Sequence, residues 1–201
     1  MSIYQLKTAF QNLLRPLCKS MADKGITANQ VTISALLLSV IWGLLITFNA
    51  NSAWPLILLP MVLFVRMGLN AVDGMLAREH NMQSKLGAIL NELGDVVSDI
   101  ALFLPLAFVP LFNPYLIVAI VIVALLTEMA GVLSIQIGAS RRYDGPMGKS
   151  DRAFFLGGLA LFVGLGWLAS INTVDIVLIL VLILSLVTVF NRADKALEEA
   201  R

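Results

Sequence analysis

Residues 66–99 read RMGLNAVDGMLAREHNMQSKLGAILNELGDVVSD. Carboxylates and amides recur in this stretch at helical steps: Asn70 and Asp73 share one face, and Gly87, Asn91, Asp95 and Asp99 share another in steps of four. The flanks, Trp54 to Val65 and Ile100 to Val109, carry no charge, and a short polar segment around His80 to Ser84 divides the stretch. The pattern predicts two antiparallel apolar helices joined by one tight loop, each bearing a polar ladder. Measured from the inner helix ends at 1.5 Å per residue, Asp73 and Gly87 lie at about 4 Å, Asn70 and Asn91 at about 10 Å, and Arg66 and Asp95 at about 15 Å. Rung is expected to face rung.

The rest of the chain explains why such helices are spans. Of 201 residues 59% are apolar and 13% charged, with a mean hydropathy of +0.88, which excludes a disordered chain and places this one in a membrane. A single cysteine, Cys18, excludes a disulfide scaffold, and in a reducing cytoplasm it reads as structural rather than catalytic. Six apolar runs are long enough to cross: Val31 to Phe48, Trp54 to Ala77, Lys85 to Val109, Tyr115 to Ile137, Arg152 to Ser170 and Val174 to Phe190. Every lysine and arginine except Arg66 belongs to the N-terminal stretch, the second and fourth loops or the C-terminal tail. The positive-inside rule then places both termini and the even-numbered loops in the cytoplasm. Trp54 and Tyr115 fall at outer ends, as interfacial aromatics do.

Before the spans, Ile3, Leu6, Phe10, Leu13, Leu14, Leu17 and Met21 recur at helical spacing with Lys7, Arg15 and Lys19 between them. Residues 1–24 are therefore expected to be a retained amphipathic helix in the cytoplasmic interface, bent at Pro16, or a plain connector to the first span. They lack the compact apolar run and small-residue cleavage site of a signal peptide. The expected fold is thus all-α and integral to the inner or plasma membrane: six transmembrane helices within residues 28–193 behind an interfacial helix, forming one domain over residues 1–201.

Ionisable groups inside a bilayer are costly and carry function by default. Two carboxylates about 6 Å apart repel by roughly 3 kcal/mol at an effective dielectric of 20, so Asp95 and Asp99 on one face call for a cation. Arg66, Mg²⁺ or Mn²⁺ can supply it, and Glu128, at about the same 15 Å depth, is expected to compete for Arg66. Carboxylates with amide carbonyls suit a hard divalent ion. With one histidine, His80, and one cysteine, zinc is not expected. The plain alternative is a set of interhelical hydrogen bonds and ion pairs that lock the bundle.

Asp73-Gly74-x-x-Ala77-Arg78, eight residues, then Gly87-x-x-x-Asn91-x-x-x-Asp95 resembles the signature of the CDP-alcohol phosphatidyltransferases, in which the first position, here Asn70, and the third, here Asn91, are aspartates. Thr27-Ala28-Asn29-Gln30-Val31-Thr32 is similar to that family's Thr-Pro-Asn-x-x-Thr, with Ala28 in place of proline. The resemblance implies transfer of a substituted phosphate from a CDP-linked alcohol, such as CDP-diacylglycerol, to an acceptor hydroxyl with release of CMP. It implies one or two divalent ions on Asn70, Asp73, Asn91 and Asp95, with Asp95 as the base for the acceptor hydroxyl. Gly74, Ala77, Arg78 and Gly87 would line the CDP-alcohol, glycines allowing close approach and Arg78 offering a planar fork to phosphate oxygens. A homodimer in the membrane, its site open to the cytoplasm, is also implied, and no nucleic-acid partner.

Asparagines at two of four positions halve the formal charge of the quartet from −4 to −2. That leaves a silent relative, which binds a CDP-alcohol or a partner enzyme without turnover, as the alternative. A transporter using Arg66, Asp95, Asp99 and Glu128 as an ion pathway is a third possibility, but it gives no reason for the glycine, alanine and arginine spacing.

In the fourth loop, Arg141, Arg142, Gly145, Pro146, Gly148, Lys149, Ser150 and Arg152 gather before the fifth span, with Ser150 a candidate helix cap. By resemblance Lys149 and Arg152 would receive the acceptor or the lipid phosphate. Gly145-Pro-Met-Gly148-Lys-Ser is not a P-loop, since the glycine spacing is wrong and no strand precedes it.

Overall fold

In the computed structural model, residues 3–201 are described, with side chains from Phe10 onward. The expectations placed on the side chains of Ile3, Leu6 and Lys7 lie outside the described residues. Seven α-helices follow one another: α1 (Ile3–Asp23), α2 (Ala28–Phe48), α3 (Trp54–Glu79), α4 (Lys85–Phe103), α5 (Pro114–Leu133), α6 (Lys149–Gly164) and α7 (Ile171–Glu199). Short 3₁₀ turns follow α4 (Leu104–Phe108) and α5 (Ser134–Ile137). The described residues contain no strand.

Four helices, α2, α3, α5 with its 3₁₀ turn, and α7, are long and apolar enough to cross a membrane. The chain is an integral membrane protein on that ground. The two remaining expected spans depart from this pattern for separate reasons. Helix α4 holds Glu92, Asp95 and Asp99 besides Lys85, so the residues that make it interesting are those that lower its hydropathy. Helix α6 has 16 residues and is therefore about 24 Å long, short of a hydrocarbon core. It stops where Gly166 turns the chain at φ +73°, well before the expected end at Ser170.

The ends of the other helices follow local chemistry. Pro105 has no N–H to continue the ladder of α4, and the chain tightens into a 3₁₀ turn around it. Asn113 caps α5, its Oδ1 accepting from the N–H groups of Tyr115 (3.1 Å) and Leu116 (3.4 Å), with Pro114 in the first turn. Ser150 is not the cap of α6. That helix begins one residue earlier, and the Asp151 carboxylate accepts from Gly148 N–H at 2.9 Å, the acidic side chain also suiting the positive helix end. Pro16 lies inside α1 without ending it.

The chain divides into two compact units, with boundaries inside α2, α3 and α4: residues up to Ile41 with Met61–Ser98, and Trp42–Pro60 with Asp99–Arg201. The first unit has a core of Cys18, Ala28, Val31, Val72, Met75 and Leu76, against which Leu14, Met21, Leu69 and Ala77 pack. Helix α1 is thus docked through one face, while Leu13 and Leu17 of another face are exposed, as an interfacial helix requires. Arg15 pairs with Glu79 at 3.1 Å.

In the second unit α5 and α7 pack together, burying Ile117, Ile120 and Ala124 of one and Val174, Leu178 and Val181 of the other. Trp42 and Trp54 meet edge to face at 5.8 Å, and the Trp42 indole donates to Pro55 O at 3.2 Å. Gly43 admits the Ala101 carbonyl so closely that a Cβ would sit 1.8 Å from its oxygen. Gly164 does the same for the chain at Ala53 and Ile57.

Candidate active site

The polar ladders of α3 and α4 lie within the first unit except for Asp99, which belongs to the second. Asp73 is 4% exposed, and its Oδ2 accepts from Thr32 Oγ1 of α2 at 2.8 Å. Asp95 is half-buried, its Oδ1 accepting from Asn70 Nδ2 at 3.0 Å. Arg66, 3% exposed, donates through Nη2 to Asp95 O at 3.1 Å and stands 3.8 Å from its carboxylate. The expected match of Arg66 with Asp95 is present. Asn70, however, reaches Asp95 rather than Asn91, which is exposed. The glycine positions are filled by neighbours. A Cβ at Gly87 would fall 2.7 Å from Asn29 Oδ1, and one at Gly74 3.0 Å from Arg78 Nη2. Arg78 therefore folds back over Gly74 one turn away, and Ala77 beside it packs on the unit's core. Ser84 Oγ caps α4 by accepting from Gly87 N–H at 2.9 Å.

Thr32 and Asn29 were visible in the sequence only as a motif, and their partners emerge from the fold. The Thr-x-Asn-x-x-Thr turn opens α2 with Thr27 Oγ1 accepting from Gln30 N–H. That start sets Asn29 and Thr32 almost one turn apart, facing α4 and α3 through Gly87 and Asp73.

The donors fit a hard divalent ion in kind: two carboxylates and two amides, all oxygen ligands. They do not form a cluster of three carboxylates, and the described residues hold no group of three His, Cys, Asp or Glu placed for a metal. An ion here would need the asparagine carbonyls.

Lys149 and Arg152 belong to the second unit. Lys149 starts α6 and is partly buried. Arg152 is 0% exposed, with Nη2 paired to Glu128 (3.1 Å) and Asp99 (3.3 Å) and Nη1 donating to Thr127 Oγ1 (2.9 Å) and Met147 O (3.1 Å). Its terminal donors thus brace α4, α5 and α6 within that unit. Glu128 is met by Arg152, Arg192 and Arg141 of its own unit. Arg192, 2% exposed, also donates to Thr127 O and Asp144 O. It reads as a tail charge in sequence, because nothing there shows that α7 runs on to Glu199. Asp144, in the loop, is held below the usual carboxylate range by the Arg142 N–H at 2.8 Å.

A family description, CDP-alcohol phosphatidyltransferase, matches residues 25–191. The chain belongs to that family. It is 49% identical over 170 residues to the inner membrane protein YnbA of Escherichia coli K12, covering 84% of each chain. Among solved structures, it resembles the phosphatidylinositol phosphate synthase PgsA1 of Mycobacterium tuberculosis. The form with manganese and citrate superposes with a TM-score of 0.76 at 19% identity, covering 90% of this chain and 88% of that one. The form with CDP-DAG bound gives 0.75, again at 19% identity, covering 92% of each. At that identity the likeness establishes the shared fold.

Proposed function

We propose that this family member is an active membrane transferase, moving a substituted phosphate from a CDP-alcohol such as CDP-diacylglycerol to an acceptor hydroxyl and releasing CMP, in phospholipid synthesis. The observation that carries the reading is the pair Asp73 and Asp95. Both are kept as aspartate and given separate donors, Thr32 for one and Asn70 with Arg66 for the other. A site retained only for packing has no need to orient two carboxylates this way. CDP-DAG bound to PgsA1 supports the donor class, and manganese in the same protein supports Mg²⁺ or Mn²⁺ as the ion.

In this reading Asp73, Asp95, Asn70 and Asn91 would hold a divalent ion, which would supply charge neutralisation of the pyrophosphate and Lewis acidity at phosphorus. Arg78 over Gly74 and Asn29 beside Gly87 line, with Ala77, the place assigned to the nucleotide, and Arg78 takes phosphate oxygens with its fork. Thr32 holds the Asp73 carboxylate in one rotamer, and Asn70 and Arg66 do so for Asp95. Asp95 accepts the proton of the acceptor hydroxyl as its oxygen attacks phosphorus; an asparagine cannot. Lys149 is assigned to an incoming phosphate. Arg152 was grouped with it on sequence grounds, but its buried ion pairs favour positioning α6 under Lys149.

We further propose six crossings, both termini and the site cytoplasmic, and a homodimer in the inner or plasma membrane. The family match runs across both compact units, which supports one functional domain. Asp73→Ala and Asp95→Asn should each abolish CMP release while leaving the amount of membrane-inserted protein unchanged. Turnover in both variants would contradict the assignment. The silent-relative alternative predicts no release from the native chain and its gain on Asn70→Asp with Asn91→Asp.

A further inference from the structure

Arg66 lies one helical turn before Asn70 on α3, and both reach across to the same residue of α4. A guanidinium that is 3% exposed within a span is costly unless it has a job and a counter-ion. Within this site its Nη2 stands 3.8 Å from the Asp95 carboxylate. Asn70 already fills the approach to Asp95 with an N–H donor, Nδ2 to Oδ1 at 3.0 Å. An aspartate at position 70 would set two carboxylates at that separation and require a cation to be shared between them. Here the amide hydrogen and the fixed charge of Arg66 supply what that cation would. Asp73, Asp95 and Arg66 then sum to a formal charge of −1. One divalent ion takes that sum to +1, and a second would have to enter a site already positive.

Resting on the transferase reading, we propose that this site takes a single divalent ion, with Arg66 as a resident cation in the place of a second. Arg66 is a positioning residue in this scheme. It fixes the Asp95 carboxylate through that residue's own carbonyl and carboxylate, and it does so whether or not the ion is bound.

The test is Mn²⁺ binding to the full-length protein in lipid nanodiscs, read from the loss of the free-ion paramagnetic resonance signal, with CMP release measured on the same preparations. One Mn²⁺ per chain is expected. Arg66→Gln removes a positive charge near the ion and should tighten binding about tenfold or more, whereas Arg66→Lys should keep the native affinity. A residue that only packed would weaken binding in both variants. Arg66→Gln combined with Asn70→Asp and Asn91→Asp should bind two ions, which also serves as the folded control. Two ions on the native chain, or weaker binding in Arg66→Gln while Arg66→Lys is weakened alike, overturns the inference. Release with two ions bound overturns this inference alone; one ion bound with no release overturns the transferase reading; neither binding nor release overturns both.

Discussion

Asp73 and Asp95 are held by different kinds of donor, and their sensitivities should differ accordingly. Asp73 takes a neutral hydroxyl from Thr32 at 2.8 Å, so Thr32→Val, nearly isosteric, should cost about 1 kcal/mol of orientation, or roughly fivefold in CMP release. Thr32→Ser should retain most of the activity; loss in Thr32→Ser with activity kept in Thr32→Val would show that the methyl, not the hydroxyl, matters. The carboxylate positions, the glycines and Arg78 are legible in the sequence because their spacing along two helices is itself the signal. Thr32 is not legible in the same way, since its partner lies 41 residues away and only packing joins them. Arg152 shows the opposite failure: a basic residue at a loop looks like a topology signal until burial and its two carboxylate partners are seen.

At the scale of elements, two helices announce their packing through single residues. Gly43 of α2 leaves room for the Ala101 carbonyl, and a Cβ there would lie 1.8 Å from the oxygen. Gly43→Ala must separate the backbones and should lower stability by about 1–3 kcal/mol, read as a fall in the thermal midpoint in detergent. Gly158, with nothing within 4 Å of a built Cβ, is the control that should tolerate alanine. Cys18 reports on α1. It is 0% exposed in the core of the first unit, and burial pushes its thiol up, so maleimide labelling should be slow in the native protein and complete in denaturant. Rapid native labelling would mean that α1 is not docked. Periodicity places α1 and its apolar stripe, but which stripe residue is buried follows from tertiary packing.

For the whole molecule, the proposed orientation rests on the distribution of lysine and arginine, which hydropathy alone does not supply. A fluorescent protein fused after Arg201 should fold and fluoresce, and a reporter enzyme active only outside the cytoplasm should work when inserted at Asn51. The opposite pair of results would invert the proposed topology. Four helices announce themselves by length and apolarity. The two further spans proposed, α4 and α6, do not meet that measure for physical reasons, α4 through the carboxylates it carries and α6 through its 16-residue length. The central claim is that these elements assemble a working transferase despite asparagine at positions 70 and 91. The direct measurement is release of radiolabelled CMP from CDP-diacylglycerol by the purified protein with Mg²⁺ or Mn²⁺, across a panel of acceptor alcohols, with Asp95→Asn as the blank. The account predicts release that depends on one acceptor and vanishes in the blank. Tight CDP-diacylglycerol binding with no release for any acceptor would contradict it and identify a silent relative.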